Sequence, residues 1–253
     1  MKYLLTIMVL STLFIACKKE TKQDEKEVVQ KETSQTETDN WIYLFDGTST
    51  EGWRAYNGDQ MPPGWKIVDS TLTFTTKQIL EEDYDYTGSR DIIYGVEEFE
   101  NFELYVEWKI PKGGNSGIFY HLKEGYDGAS VVAPEYQLLD DENYAEIHNF
   151  ELKDWQLTAT DYAMYLPDNS QKVLYPPGKW NSSRIVFTVE NVEYWLNGKK
   201  VLSFTPWSED WYKRRNSGKW SNAPDYGKYR KGYIGFQDHG SNLSFRKIKI
   251  KKL

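Results

Sequence analysis

The chain has 253 residues and a formal net charge of -7, which is enough sequence for one large β domain or two small ones. This acidic balance argues against a nucleic-acid-binding surface. Cys17 is the only cysteine, which excludes a disulfide framework, so the fold must rest on its core. Aromatic residues make up 16% of the chain; they favour sugar binding only weakly, because large β-cores also use them.

Residues 1–17 are predicted to be a lipoprotein signal peptide. Lys2 precedes an apolar run that ends at Ala16 and Cys17, and this run is too short for a permanent membrane helix. Cys17 resembles the lipid-acceptor position of bacterial lipoproteins, although Phe14 stands where leucine is usual. The alternative is an ordinary signal-peptide cysteine that is lost on cleavage. A lipid anchor would place the protein in the cell envelope. Lys18 after the cysteine favours the outer membrane, with a periplasmic or surface-facing domain.

Residues 18–40 contain no aromatic residue and consist largely of Lys, Glu, Gln, Thr and Asp. Such a segment cannot bury enough apolar surface to offset its conformational entropy, so it is predicted to be a disordered tether. The globular domain is therefore predicted to span residues 41–253, with no internal repeat and no second boundary.

Short alternating stretches dominate residues 41–253. "FELYVEWKI" (102–110) puts its apolar residues on one face and its mostly polar residues on the other, as a half-buried strand does. Asn197-Gly198 predicts a two-residue hairpin turn, and a change of apolar face near Arg246 predicts a β-bulge. Similar stretches are "GIFYHL", "EYQLLD", "SRIVFTVE", "VEYWLNGKKVLSF", "GYIGFQD" and "LSFRKIKIKK". The pattern predicts an all-β fold, an antiparallel sandwich or barrel.

One helix is predicted, over "SEDWYKRRN", with Ser208 as its N-cap and acidic residues in its first turn. It lies in a long connection, residues 205–232, that carries Trp207, Trp211 and Trp220. Connections of this length in a compact domain are usually functional or disordered, and three tryptophans argue against disorder.

Several catalytic signatures are absent from the sequence. It has no H-E-x-x-H, paired C-x-x-C, G-x-S-x-G or phosphate-binding glycine loop, and no E-x-D-x-x-E motif of jelly-roll glucanases. A retaining glycosidase mechanism therefore lacks a visible pair of acid and nucleophile.

The candidate functional residues are polar groups on predicted strands. Glu107 faces away from the apolar stripe of its strand, and Glu135 and Gln137 share one face of theirs. In "GGNSGIFYH", three glycines are expected to permit a tight turn that presents Asn115 and Ser116. The last group is "QDHG" (237–240). The alternative for the acids is a solvated sheet face, and for His239 a loop residue that caps backbone groups.

Five stretches in order resemble the bacterial 3-keto-disaccharide hydrolase family, whose members are also described as 3-keto-glucoside lyase and 3-keto-2-hydroxyglucal hydratase domains. The resemblance covers essentially all of residues 41–253, and members are often secreted or lipoproteins. It implies a concanavalin A-like jelly roll, here with a long Trp-rich loop. The stretches are "LFDGTSTEGW", "FELYVEWKIPKGGNSGIFYH", "PEYQLLDDE", "PGKWNSSRIVFTVENVEYWLNGKKV" and "GYIGFQDHGSNLSFRKIKIK".

The chemistry that this resemblance implies needs no covalent nucleophile. A ketone at C3 of the sugar acidifies the C2 proton, so a base can remove it and the C1 substituent can leave by elimination. Water then adds to the resulting 2-hydroxyglycal. Such a site needs a base, an acid for the leaving oxygen, and donors or a cation for the enolate oxygen.

On this interpretation Glu135 or His239 is the base, and the other of the two, or Glu107, is the acid. Asn115 and Gln237 are hydrogen-bond donors to hydroxyl or enolate oxygen, with Gln137 on the same sheet face. Sugar stacking is assigned to Trp195 and to the tryptophans of residues 205–232, and His121 is a secondary binding candidate.

A divalent metal is left open as a cofactor, because enolate chemistry often uses one. The expected partners are a small carbohydrate substrate and, through the anchor, a membrane. Two other functions are kept as alternatives. The first is a carbohydrate-binding jelly roll without catalysis, since fold does not decide function. The second is a laminin-like adhesion domain that binds a protein partner through its rim.

Overall fold

A computed structural model describes residues 40–76 and 86–253. The predicted signal peptide, its Cys17 and residues 18–39 of the predicted tether lie outside these ranges. Within them, no helix is long and apolar enough to cross a membrane.

The described residues form thirteen strands in two antiparallel sheets. In chain order the strands are β1 (Ile42–Phe45), β2 (Trp53–Ala55), β3 (Trp65–Val68), β4 (Thr71–Phe74), β5 (Ile92–Tyr94), β6 (Phe102–Lys109), β7 (Asn115–Leu122), β8 (Glu135–Leu139), β9 (Asn181–Phe187), β10 (Val192–Leu196), β11 (Lys199–Phe204), β12 (Tyr233–Phe236) and β13 (Leu243–Lys252). Two α-helices, α1 (Tyr144–His148) and α2 (Glu209–Ser217), and short 3-10 turns at Ala129–Val131, Asp154–Gln156 and Lys219–Asn222 lie in the connections.

The larger sheet has the order β11-β10-β9-β6-β13-β4-β3, with β1 also paired to β13, and the smaller sheet has the order β2-β5-β12-β7-β8. The two sheets pack through one apolar core, in which Phe236 of the small sheet stacks on Phe245 of the large sheet with ring centroids 4.0 Å apart. The predicted all-β, concanavalin-like antiparallel sandwich is confirmed.

Strand alternation decides which side chains enter this core. The apolar residues of β6, from Phe102 to Trp108 at alternate positions, are fully buried. On β8, Tyr136 and Leu138 join the same core, so Glu135 and Gln137 point to the other face of the small sheet. This alternation turns the predicted polar pair away from the core of the sandwich.

Local sequence signals predicted several details correctly. Asn197 and Gly198 both have positive φ, 48° and 79°, as the tight hairpin between β10 and β11 requires. The register of β13 against β6 shifts between Arg246 and Lys249, where the bulge was predicted. Ser208 caps α2, and its side chain accepts a hydrogen bond from the backbone N–H of Trp211.

Candidate active site

A polar cavity of about 300 Å³ lies on the outer face of the small sheet. Strands β7 and β8, the segment directly after β12, the segment before β5 and the connections around Tyr162 and Lys219 all contribute to it. Five of the predicted site residues line this cavity, together with five others: Asn115, Glu135, Gln137, Gln237 and His239, with Asp91, Ser130, Tyr162, Lys219 and Asp238.

Gly117 on β7 provides the space for the Glu135 side chain. A Cβ atom built on Gly117 would lie 2.6 Å from Glu135 Cδ and 2.7 Å from its Cγ, which is too close for packed atoms. The prediction that Gly117 forms a tight turn with Gly113 and Gly114 is therefore wrong for Gly117. Gly113, with φ of 69°, lies before the strand, whereas Gly117 lies within β7 and is needed for close approach.

The Glu135 carboxyl is a buried acid. The residue is 3% exposed, and no hydrogen bond from the described residues reaches its side chain. Burial raises the pKa of Glu135 to about 8; the charge of Lys219 opposes this shift, and those of Asp91 and Asp161 add to it. A carboxyl with such a pKa binds and releases protons near neutral pH.

Asp91, directly before β5, is a second acid of the cavity that sequence reasoning missed. Burial raises its pKa to about 7, although its Oδ1 accepts a hydrogen bond of 2.8 Å from the backbone N–H of Asp238. No local motif marks Asp91; only the pairing of β5 with β12 carries it to Asp238.

The "QDHG" segment turns the chain at the end of β12. The backbone N–H of Gln237 donates to Gly117 O, and that of Gly240 donates to Asp238 Oδ1 at 2.7 Å. Gly240 has φ of 75°, a conformation that favours glycine. His239 is exposed at the rim of the cavity, and Gln237 lies half-buried inside it.

The amide groups of the cavity leave polar atoms unpaired. Gln137 Nε2 donates to Asn115 Oδ1 at 3.2 Å, and Asn115 Nδ2 donates to the Tyr144 hydroxyl at 3.4 Å. The Oε1 atoms of Gln137 and Gln237 are buried and have no hydrogen-bond partner among the residues that the structure describes. Because unpaired buried acceptors are costly, a water molecule or a ligand hydroxyl that donates a hydrogen bond would stabilise these two atoms.

Glu107 does not belong to this cavity, so its grouping with Glu135 needs correction. It lies on β6 in the large sheet, where Arg246 Nε, Lys247 Nζ and the Tyr105 hydroxyl donate to its carboxylate at 2.6, 2.8 and 3.0 Å. Burial opposes ionisation, but these hydrogen bonds outweigh it and lower the pKa of Glu107. Glu107 is thus an ion-paired carboxylate on a different sheet.

Two other predicted binding residues also lie elsewhere. His121 is buried, packs edge-on against Phe187 at 4.3 Å between ring centroids, and hydrogen-bonds through Nε2 to Glu100 O. Burial lowers the pKa of His121 to about 4. Trp195 lies on β10 in the large sheet, under the Arg184 guanidinium. Sequence parity does not predict these positions, because His121 has positive φ, which breaks the alternation, and Trp195 belongs to the other sheet.

The tryptophans of residues 205–232 pack into the protein and do not line the cavity. Trp211 and Trp220 are both 4% exposed, and the half-buried Trp207 lies parallel to His121 and donates from Nε1 to Gly227 O. The expectation that they stack on sugar is therefore corrected, because their rings pack against protein. The residue of this connection that does reach the cavity, Lys219, carried no sequence signal beyond the length of the connection, and Tyr162, which lies outside the connection, carried none.

Metal binding was left open by the sequence. Within residues 40–76 and 86–253, no group of three or more His, Cys, Asp or Glu side chains is arranged to hold a metal ion.

Comparison with known proteins assigns the family. Residues 40–251 match the 3-keto-alpha-glucoside-1,2-lyase-like domain family. The chain belongs to this family. A curated protein of similar sequence, from Bacteroides thetaiotaomicron, is named 3-keto-disaccharide hydrolase. It is 34% identical to this chain, and the alignment covers 86% of this chain and 80% of the relative. The resemblance stated from five sequence stretches is thereby confirmed.

Solved structures resemble this member of the lyase-like family. A candidate glycosyl hydrolase from Parabacteroides distasonis is 42% identical, with a TM-score of 0.76 over 85% of this chain and 94% of its own. A second one from the same organism is 26% identical, with a TM-score of 0.63 over 84% of this chain and 99% of its own. Both matches include most of this chain and most of the solved structure.

The raised pKa values predict that the stability of the folded protein decreases as the pH rises. In the unfolded chain Glu135 titrates near 4.5, but in the folded protein it keeps its proton up to about 8, so between these values folding takes up a proton. Stability that is present at low pH is therefore lost as the pH rises towards 8. Asp91 and Asp161 have raised pKa values of about 7 and 8, so they also make the folded protein less stable as the pH rises. Glu135→Gln should remove part of this slope in urea unfolding between about pH 5 and 8.

Glu107→Gln is the matched control for this slope. Because the pKa of Glu107 is lowered, its contribution is lost only at acid pH, so this variant should keep the wild-type slope above about pH 5. Equal slopes for Glu135→Gln and the wild type would contradict the raised pKa of Glu135.

Proposed function

We propose that the protein cleaves 3-keto-glycosides by removing the C2 proton and eliminating the C1 substituent, with hydration of the resulting glycal completing hydrolysis. The curated relative named 3-keto-disaccharide hydrolase and the lyase-like family support this substrate class. The observation that carries the mechanism is the Glu135 carboxyl, which is buried in a polar cavity, receives no hydrogen bond from the described part of the chain and has a pKa of about 8.

The elimination runs in two electronic steps. The base takes the C2 proton, and the C2–H electron pair forms a C2=C3 bond while the carbonyl π pair moves to the C3 oxygen. The enolate pair then returns to restore the ketone, a C1=C2 bond forms, and the C1–O bond breaks. The leaving oxygen receives a proton from an acid. Addition of water across C1=C2 afterwards returns a 3-keto sugar.

Glu135 is the proposed base. A general base works best when its pKa lies near the working pH, because it is then ionised and still strongly basic. The raised pKa of about 8 meets this condition better than that of an ordinary exposed glutamate. Its position over Gly117, on a strand rather than a loop, fixes the direction from which the C2 proton must approach.

His239 and Asp91 are the proposed proton donors to the leaving oxygen. His239 is exposed at the rim, where the departing group would leave the cavity. Asp91 has a pKa of about 7, so a substantial fraction of it is protonated at neutral pH. Comparing His239→Ala with Asp91→Asn on substrates with good and poor leaving groups assigns the role, since only loss of the true acid penalises the poor leaving group selectively.

The amides of Asn115, Gln137 and Gln237 are proposed to bind the sugar hydroxyls. The unpaired Oε1 atoms of Gln137 and Gln237 can accept hydrogen bonds from them. The Asn115–Gln137 hydrogen bond fixes the direction of both side chains. A hydroxyl-rich ligand therefore completes hydrogen bonds that the free protein leaves unmade.

Glu135→Gln tests the assignment of the base. The change keeps the shape of the side chain but removes its basicity, so kcat on a 3-keto-disaccharide should fall by roughly 10² to 10⁴. Release of the leaving group is measured by chromatography, with the unoxidised parent sugar as a substrate that must stay intact. Glu107→Gln, on the other sheet, should retain wild-type kcat; the reverse ranking of the two variants would overturn the assignment.

Gly117→Ala tests the space that holds Glu135. The added methyl group would displace the carboxyl, so kcat should fall about tenfold or more while the far-UV spectrum is kept. Gly128→Ala is the control, because no described residue other than its chain neighbours has an atom within 4 Å of its Cβ position and its backbone is extended. Wild-type kcat in Gly117→Ala would contradict the packing argument.

We also propose that Cys17 carries a lipid that anchors the protein to the outer membrane. The apolar run before Ala16 and Cys17, and the polar residues after it, support this. The full chain should incorporate an alkyne-labelled fatty acid in bacteria, and Cys17→Ser should abolish the label and release the protein from membrane fractions. Equal labelling of the two proteins, or no label in either, would count against the anchor.

A further inference from the structure

Lys219 opens the 3-10 turn Lys219–Asn222, directly after α2, and lines the same cavity as Glu135. Its neighbours in that cavity include three acids, Asp91, Glu135 and Asp238. Among the described lining residues, the only side chains that can carry a positive charge are Lys219 and His239. Both are exposed residues, and Lys219 supplies the ammonium group of the cavity.

The Lys219 ammonium is held by aromatic rings rather than by a carboxylate. Its Nζ lies 4.3 Å from the ring centroid of Tyr162, 4.9 Å from that of Trp220 and 5.8 Å from that of Trp155. Within residues 40–76 and 86–253, no ion pair or hydrogen bond engages this nitrogen. Ring faces attract a cation without neutralising it, so its charge and its three N–H donors remain available.

The rings under Lys219 are fixed by the core. Trp220 is 4% exposed, stacks on the buried Tyr226 at 4.0 Å between centroids, and donates from Nε1 to Tyr162 O. The backbone N–H of Tyr162 in turn donates to Glu135 O at 3.0 Å. These contacts connect the rings beside the Lys219 ammonium group to β8, the strand that carries Glu135.

We propose that Lys219 is a catalytic residue that stabilises the enolate by binding the C3 oxygen of the sugar. This inference rests on the proposed function and names the group that takes up the developing negative charge. When Glu135 removes the C2 proton, an electron pair moves onto the C3 oxygen, and a Lys219 N–H donates to it. When that pair returns and the C1–O bond breaks, the contact weakens again and Lys219 keeps its proton throughout.

The arrangement explains why the cavity holds a lysine that has no ion-pair partner within residues 40–76 and 86–253. An enolate that forms beside three carboxyl groups is repelled by any of them that is ionised, so a fixed cation has a large effect there. A lysine already paired with a carboxylate would have to break that pair in each turnover. The aromatic support avoids this cost, because the ammonium can contact the substrate without giving up a salt bridge.

The test uses the full-length protein and a 3-keto-disaccharide. Lys219→Ala should lower kcat by roughly 100-fold or more, with a smaller change in KM, because the interaction forms mainly in the transition state. Deuterium exchange at C2 in D₂O should slow in parallel, since it reports enolate formation. Added methylammonium should restore part of the lost rate by occupying the vacated space. Lys213→Ala, on the exposed side of α2, is the control and should match the wild type.

Two results would overturn the role of Lys219. The first is a Lys219→Ala variant whose kcat and C2 exchange stay within about threefold of the wild type. The second is an effect on KM alone, which would make Lys219 a ground-state binding residue. A wild-type protein that leaves every 3-keto-glycoside intact would instead overturn the proposed function itself, and this inference with it.

Discussion

The site depends on one close approach between two neighbouring strands, β7 and β8. Gly117 lacks a side chain at the point where the Glu135 carboxyl crosses β7, so the acid can be buried on the face of the sheet. No described group donates a hydrogen bond to it there, and burial therefore raises its pKa to about 8. Any side chain at position 117 would displace the carboxyl from this position. The basicity of Glu135 thus follows from a packing constraint.

A comparison of Glu135 with Glu107 shows how surroundings decide the behaviour of the same side chain. Both are buried glutamates on strands of the sandwich. Glu107 accepts hydrogen bonds from Arg246, Lys247 and Tyr105, which keep it ionised. Glu135 faces a cavity whose cation, Lys219, is held by aromatic rings, and burial dominates. Glu107 on the large sheet therefore has a structural role as an ion-paired carboxylate, whereas Glu135 on the small sheet can bind and release a proton.

The connection after β11 adds Lys219 to the cavity on the face of the small sheet. The turn after helix α2 places Lys219 in the cavity lining, and the Trp220 ring beside its ammonium group stacks on the buried Tyr226. The buried rings of Trp220 and Tyr226 pack this connection onto the rest of the domain, whereas the exposed Lys219 is its contribution to the site. This division explains why its tryptophans, predicted to bind sugar, are instead packed against protein.

Local sequence patterns were sufficient to predict strands β6 to β13, the Asn197-Gly198 turn, the Ser208 cap and the shared face of Glu135 and Gln137, because all of these depend on neighbours within a few residues; the shorter strands β1 to β5 were not predicted. Which strands become neighbours depends on contacts across the whole chain. Only the tertiary structure could therefore separate Glu107 and Trp195 from the cavity, bring Asp91 and Lys219 into it, and turn His121 inward. Side-chain parity along a strand is a local property, whereas membership of a sheet and the electrostatic surroundings of an acid are set by distant residues.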